Sequence, residues 1–228
     1  MCDLQILPPK KKKSKSKNGI NDNLPQPPFL LCCVAPSQSG KSTVLLNIVL
    51  NPLFGYYDYF DTIYYFSPTV EFDKTLTGVM EEKKKIITIT ESDDLDNISG
   101  FVSEIIEEQK KNDENILMIF DDCVGYFSND SYLSFLSLKY RHFRTSLIFT
   151  SQNFRSIPLK VRVNSGYFLI WKLFNHKEID KIMEEIGENF EDFKFYYEYA
   201  TEQKYNFLYI DNNRKRLYKN FDELIYSQ

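Results

Sequence analysis

An α/β fold with a mostly parallel central sheet is predicted for this 228-residue chain, on three observations. An apolar run at 29–34 leads into Ala35-Pro36-Ser37-Gln38-Ser39-Gly40-Lys41-Ser42 and then into a helical pattern that starts at Thr43. A second apolar run, Ile116-Leu117-Met118-Ile119-Phe120, ends in Asp121-Asp122. Around these, strand-like and helix-like stretches alternate, the pattern of a parallel sheet covered on both faces.

Strand, glycine-containing turn, Lys-Ser and helix form the context of a P-loop. Backbone N–H groups of the loop and of the first helical turn converge on a phosphate chain. Gly40 lets the backbone approach without a Cβ. Lys41 reaches the β- and γ-phosphates, and the Ser42 hydroxyl is placed to ligate Mg²⁺. A lysine in the first turn opposes the helix dipole, a conflict that a bound phosphate removes. Ala35 to Thr43 are therefore the candidate nucleotide-binding residues, with ATP and Mg²⁺ as ligands.

The acid-ended run reads as a strand buried on both faces. Its carboxyl end is where open α/β sheets collect ligands. Adjacent strand residues point opposite ways, so the two acids are expected to divide the work. Asp121 joins Ser42 in the Mg²⁺ shell, and Asp122 orients and deprotonates the attacking water. A third buried strand at 146–150 ends in Ser151-Gln152-Asn153. The Gln152 amide is placed to meet the γ-phosphate or the lytic water; a plain strand-to-loop cap is the alternative.

The remaining elements follow in order. Strands are expected near 62–66, 86–90 and 166–173. Helices are expected near 95–111, 132–143 and 176–187, followed by an aromatic, helical stretch at 190–199. A terminal hairpin joins 205–210 to 216–219, with Arg214, Lys215 and Arg216 at its turn, there to touch DNA or merely solvated. The chain thus divides into a disordered basic tail at 1–27, an ATPase core at 28–174 and a small α/β extension at 175–228 packed on the core.

Composition narrows the function. The net charge is −4, although six lysines crowd residues 10–17, so the body is more acidic than that figure. Such a body is not a general DNA-coating surface, and the lysine run is a DNA tether, a nuclear-import signal or a solubilising tail. The chain holds 19 Phe and 16 Tyr but only two alanines, a bias that suggests an AT-rich genome. Four cysteines and two histidines form no CxxC or Cys/His cluster, which argues against zinc and for a reducing compartment. No apolar run has the length of a membrane span, and no signal peptide is visible. An Asn-Lys-x-Asp guanine-reading tetrad and a kinase lid arginine cluster are both missing, which argues against a GTPase and a small-molecule kinase.

The P-loop, Asp121-Asp122, Thr150-Ser151-Gln152, Ile63-Tyr64-Tyr65-Phe66-Ser67-Pro68, Ile157-Pro158 and Arg162-Val163-Asn164 together resemble one family over residues 28–172. It is the poxvirus-type DNA-packaging ATPases of large DNA viruses and virophage-like elements, in the FtsK–HerA branch of P-loop ATPases. The resemblance implies a RecA-like, ASCE three-layer sandwich in which the Gln152 strand lies between the P-loop strand and the Asp121 strand. It implies a pentameric or hexameric homo-oligomeric ring, an arginine acting in trans, and double-stranded viral DNA as cargo. A capsid or portal component would be the partner, in the virion or the viral factory of the host-cell cytoplasm. Relatives in the wider branch carry Asp-Glu where this chain has Asp121-Asp122. For the trans arginine, Arg141 and Arg144 are the first candidates, expected on the ligand-gathering side of the sheet; Arg155 and Arg162 are alternatives. A helicase or replication ATPase is a competing reading, as is a nucleotide-gated capsid assembly protein that moves no DNA.

Overall fold

β1 (Leu30–Val34) runs through the middle of the molecule, each of its five residues buried. The computed structural model describes residues 19–69, 85–90, 95–127 and 132–228. The lysine-rich run and Cys2 lie outside the described residues.

After β1 come α1 (Lys41–Leu50), α2 (Tyr56–Tyr59), β2 (Thr62–Phe66), β3 (Ile86–Ile89), α3 (Ile98–Asn112) and β4 (Ile116–Phe120). Next are α4 (Tyr132–Lys139), β5 (Thr145–Ser151), α5 (Leu159–Asn164), β6 (Tyr167–Trp171), α6 (His176–Glu185) and α7 (Phe193–Ala200). The chain closes with β7 (Phe207–Asp211), β8 (Arg216–Lys219) and β9 (Glu223–Ser227). The described strands form one sheet in the order β3-β2-β4-β5-β1-β6-β7-β8-β9. From β3 to β6 every pairing is parallel; β7, β8 and β9 add on antiparallel. The terminal hairpin predicted from sequence is thus part of the main sheet, and β9 extends it by a strand that the sequence reading did not include.

Burial follows the strand alternation. Leu30, Cys32 and Val34 face a core layer shared with α3, α4, α6 and α7. Leu31, Cys33 and Ala35 face the layer that holds Leu45, Ile48 and Val49 of α1 and Tyr56 of α2. Helices on both faces of a parallel sheet make the three-layer sandwich that the alternation predicts. On the first face Phe66, Phe120 and Phe149 stack in a row across β2, β4 and β5, with centroids 4.8 Å apart at each step.

The disordered tail was expected to reach residue 27, but residues 19–27 lie along the body. Leu24 is 2% exposed in the α1–α2 core layer, and the buried Tyr56 hydroxyl donates to the Pro25 carbonyl at 2.6 Å. An apolar side chain and a buried hydroxyl that needs an acceptor together hold this stretch down.

Candidate active site

The site begins where β1 ends. Ala35 continues the ladder, its N–H donating to the Ser151 carbonyl at 3.0 Å. The chain then turns through two left-handed residues, Gln38 (φ 61) and Gly40 (φ 90), and enters α1. A Cβ on Gly40 would meet the Tyr205 ring at 3.2 Å in a conformation that L-residues seldom adopt. No side chain caps α1, and its first turn holds no acid. Its first N–H groups are left for an anion. The Ser39 hydroxyl is buried without a partner among the described residues.

Strand order brings the chemistry together. β5 lies between β1 and β4, the arrangement implied by the family resemblance. The loop Ala35–Thr43 shares a cavity of about 420 Å³ with Asp121, Asp122 and Gln152, and with two residues the sequence reading passed over, Thr69 and Tyr205. Lys41 sits at its centre. Its Nζ is 2.9 Å from Asp121 Oδ1, ion-paired with Asp122, and 3.2 Å from Thr150 Oγ1. Burial opposes the charge on Lys41, but the two carboxylates outweigh it and hold the ammonium above the ordinary lysine pKa.

The acids do not point apart as adjacent strand residues would. Both follow the last residue of β4, and Asp122 takes a left-handed backbone (φ 54) that turns it back toward Lys41. They differ in exposure. Asp121 is 3% exposed and accepts hydrogen bonds from Thr150 Oγ1 at 2.6 Å and the Tyr65 hydroxyl at 2.7 Å. Asp122 is more open; its N–H donates to Thr150 Oγ1 at 3.0 Å. Burial, then the Asp121 charge, raises the Tyr65 pKa well above the usual phenol value, so Tyr65 stays a donor. Tyr65 and Thr150 thus fix the Asp121 carboxylate. Thr150 had a visible signal, a hydroxyl ending an otherwise apolar strand. Tyr65 had none, since nothing in its own strand marks the acid it meets.

Ser42 and Asp121 bring a hydroxyl and a carboxylate to the same cavity, the hard oxygen donors that Mg²⁺ takes. With both Asp121 oxygens engaged by protein donors, a metal contact through water suits it.

Arg141 and Arg144 are not on the ligand side. Both precede β5, and a parallel strand entered at its amino end delivers its ligands at the other. The seven residues of β5 span roughly 20 Å. Arg144 pairs with Asp113 at 2.9 Å, and its carbonyl accepts the Ile116 N–H at the amino end of β4. Arg141 lies on Tyr140, its Nε donating to the hydroxyl at 3.0 Å. Arg162 is 9% exposed and each of its three nitrogens is hydrogen-bonded within the chain. It grips Glu185 at 3.0 and 2.9 Å and donates to the carbonyls of Phe154 and Ile157. Arg155 alone of the four is beyond the carboxyl end of β5 with an open side chain. That side chain is 52% exposed, 3.8 Å from Glu178, with Nη2 donating to the Lys177 carbonyl.

The model of the Poxvirus A32 protein family matches residues 17–190, about three quarters of the chain. The chain belongs to this family. Its fold is also that of solved packaging ATPases. It matches the genome packaging NTPase B204 from Sulfolobus turreted icosahedral virus 2, in complex with ATP-gammaS, with a TM-score of 0.61 and 18% identity over 84% of this chain and 96% of that one. The DNA-packaging ATPase B204 from Sulfolobus turreted icosahedral virus matches with the same TM-score and coverage at 16% identity. The pCW3 conjugation coupling protein TcpA matches with a TM-score of 0.55 and 15% identity, over 81% of this chain and 57% of that one. No curated protein sequence matches the chain. This A32-family chain is a P-loop ATPase. Among its described residues no helix is long and apolar enough to cross a membrane.

The acid pair makes a sharp expectation. Asp121→Asn should weaken Mg²⁺-dependent nucleotide binding. Asp122→Asn should still bind the nucleotide but hydrolyse it about a hundredfold more slowly, as for loss of a general base. Nucleotide affinity and single-turnover rate, measured on each variant, check the division; equal losses of affinity with unchanged hydrolysis of bound ATP would refute it.

Proposed function

We propose that this chain is the motor of viral genome packaging, hydrolysing ATP to move double-stranded DNA into a capsid as a pentameric or hexameric ring. The observation that carries the reading is the cavity itself, in a chain of the A32 family: phosphate loop, Lys41, two acids and Gln152 all line it. Two of the solved structures that share the fold are a genome packaging NTPase and a DNA-packaging ATPase.

In this reading the loop N–H groups and Lys41 hold the β- and γ-phosphates. Ser42 and Asp121 would hold Mg²⁺, which neutralises phosphate charge. Asp122 takes the proton of the attacking water, and Gln152 reports the γ-phosphate. Lys41 must exchange a carboxylate for phosphate oxygens on binding, which releases Asp122 to act as base. A trans residue completes the charge stabilisation, and Arg155 is the candidate. A portal or capsid component would anchor the ring.

The acidic net charge favours one competing reading, a nucleotide switch for capsid assembly without DNA as substrate. Duplex DNA should stimulate ATP turnover several-fold at low salt. Stimulation should weaken as salt rises, since phosphate contacts release counterions. Turnover indifferent to duplex DNA at every salt concentration would overturn the motor and favour the switch.

A further inference from the structure

A second cavity, of about 360 Å³, opens directly beside the phosphate cavity and shares Pro36, Ser37, Gln38, Ser39 and Tyr205 with it. Nothing in the phosphate chemistry uses it. Its far wall is Trp171, Phe174 and the turn 201–206 that joins α7 to β7. Those turn residues lie beyond the stretch matched by the family model, which ends at 190. We propose that this cavity receives the purine base of the nucleotide, with Tyr205 as its stacking platform.

Four observations carry the assignment. The cavity lies on the β6 side of β1, away from Asp121, Asp122 and Gln152, so a triphosphate with its γ-end at the acids has its nucleoside end here. Its walls are aromatic and exposed: Phe174 is 84% and Tyr205 56% exposed, and the Lys204 ammonium, 4.7 Å over the Tyr205 ring, must swing aside for a base to stack there. A ligand pocket pairs such apolar walls with a few polar groups, and here Gln203 and Asn206 line the cavity beside Trp171 and Phe174. Finally, Tyr205 is held in a left-handed conformation (φ 72), uncommon for a bulky residue, with its ring against Gly40. Strain of this kind concentrates at ligand clamps. Tyr205 therefore bridges the two cavities, touching the phosphate loop with one part of the ring and offering the rest to the base.

The proposal rests on the ATPase reading, and the test separates the two. Binding is measured by calorimetry on the full chain with Mg²⁺, using a non-hydrolysable ATP analogue and, separately, inorganic tripolyphosphate, which has no base. Tyr205→Ala should weaken the analogue about ten- to a hundredfold, the range for losing one base–aromatic stack. Tripolyphosphate affinity should fall by no more than a few-fold, since Tyr205 also packs on Gly40, and Tyr205→Phe should bind both ligands nearly as well as wild type. Equal weakening of both ligands would overturn the proposal, because Tyr205 would then only support the phosphate loop. Weakening of neither would place the base elsewhere. Wild-type protein that binds neither ligand would overturn the nucleotide reading itself and this proposal with it.

Discussion

Lys41→Ala is expected to lower ATP turnover by about a thousandfold, the scale of removing a preorganised group from developing phosphoryl charge. The geometry makes this position unusual. Lys41 is the one cation among the described residues that meets both Asp121 and Asp122. The substitution therefore removes the phosphate contact and also leaves two carboxylates side by side. Asp121 keeps the donors of Tyr65 and Thr150, so the fold should survive with a melting temperature lowered by a few degrees, on the order of 1 kcal/mol. Steady-state hydrolysis and thermal unfolding are measured together. A variant that retains half the wild-type rate or more would refute the role of the lysine.

The second large effect is expected between subunits. Arg155→Ala should cut turnover by about a thousandfold, the low end for a phosphoryl-transfer arginine, while ATP affinity changes little. The side chain is half exposed, and only a long 3.8 Å pair with Glu178 and one hydrogen bond to the Lys177 carbonyl would have to be exchanged for it to reach a neighbour. Truncation at Cβ also keeps the backbone bond from the Arg155 N–H to Glu178. Mixing Arg155→Ala subunits with Lys41→Ala subunits should restore activity. A Lys41→Ala subunit still presents its arginine, and an Arg155→Ala subunit still has a working phosphate loop. Activity per subunit should also climb with protein concentration. A mixture as inactive as its components, or a monomer that turns over at full rate, would exclude catalysis in trans by Arg155.

What sequence could show was decided by where chemistry attaches to burial. A parallel strand buried on both faces reads as a mainly apolar run, so 29–34, 116–120 and 146–150 declared themselves, and the polar residues at their carboxyl ends were the site. Tyr65 and Tyr205 were not legible. Each belongs to a stretch rich in aromatics, and each meets the site only because distant strands become neighbours. Arg141 and Arg144 were misplaced for a related reason. They lie between two site-bearing strands in sequence, but the crossover returns the chain to the amino end of the sheet before β5 begins. β9 escaped because Glu223–Ser227 shows no burial alternation, and α5 because six residues are too few for helical spacing to register. Asp122 was given the right neighbourhood but the wrong direction, since a left-handed residue breaks the strand rule.

The last strands of the sheet have a consequence for what counts as the folding unit. β6 is buried along its whole length, and β7 supplies one side of its hydrogen bonds, from Tyr167↔Asp211 to Trp171↔Phe207. The sequence shared with the family stops at 190, short of β7. A fragment cut there would keep Asp121, Asp122 and the phosphate loop, yet would present Tyr167–Trp171 as a naked apolar edge, ready to pair with any other chain. The catalytic groups and the means of keeping them soluble are encoded in different parts of the chain.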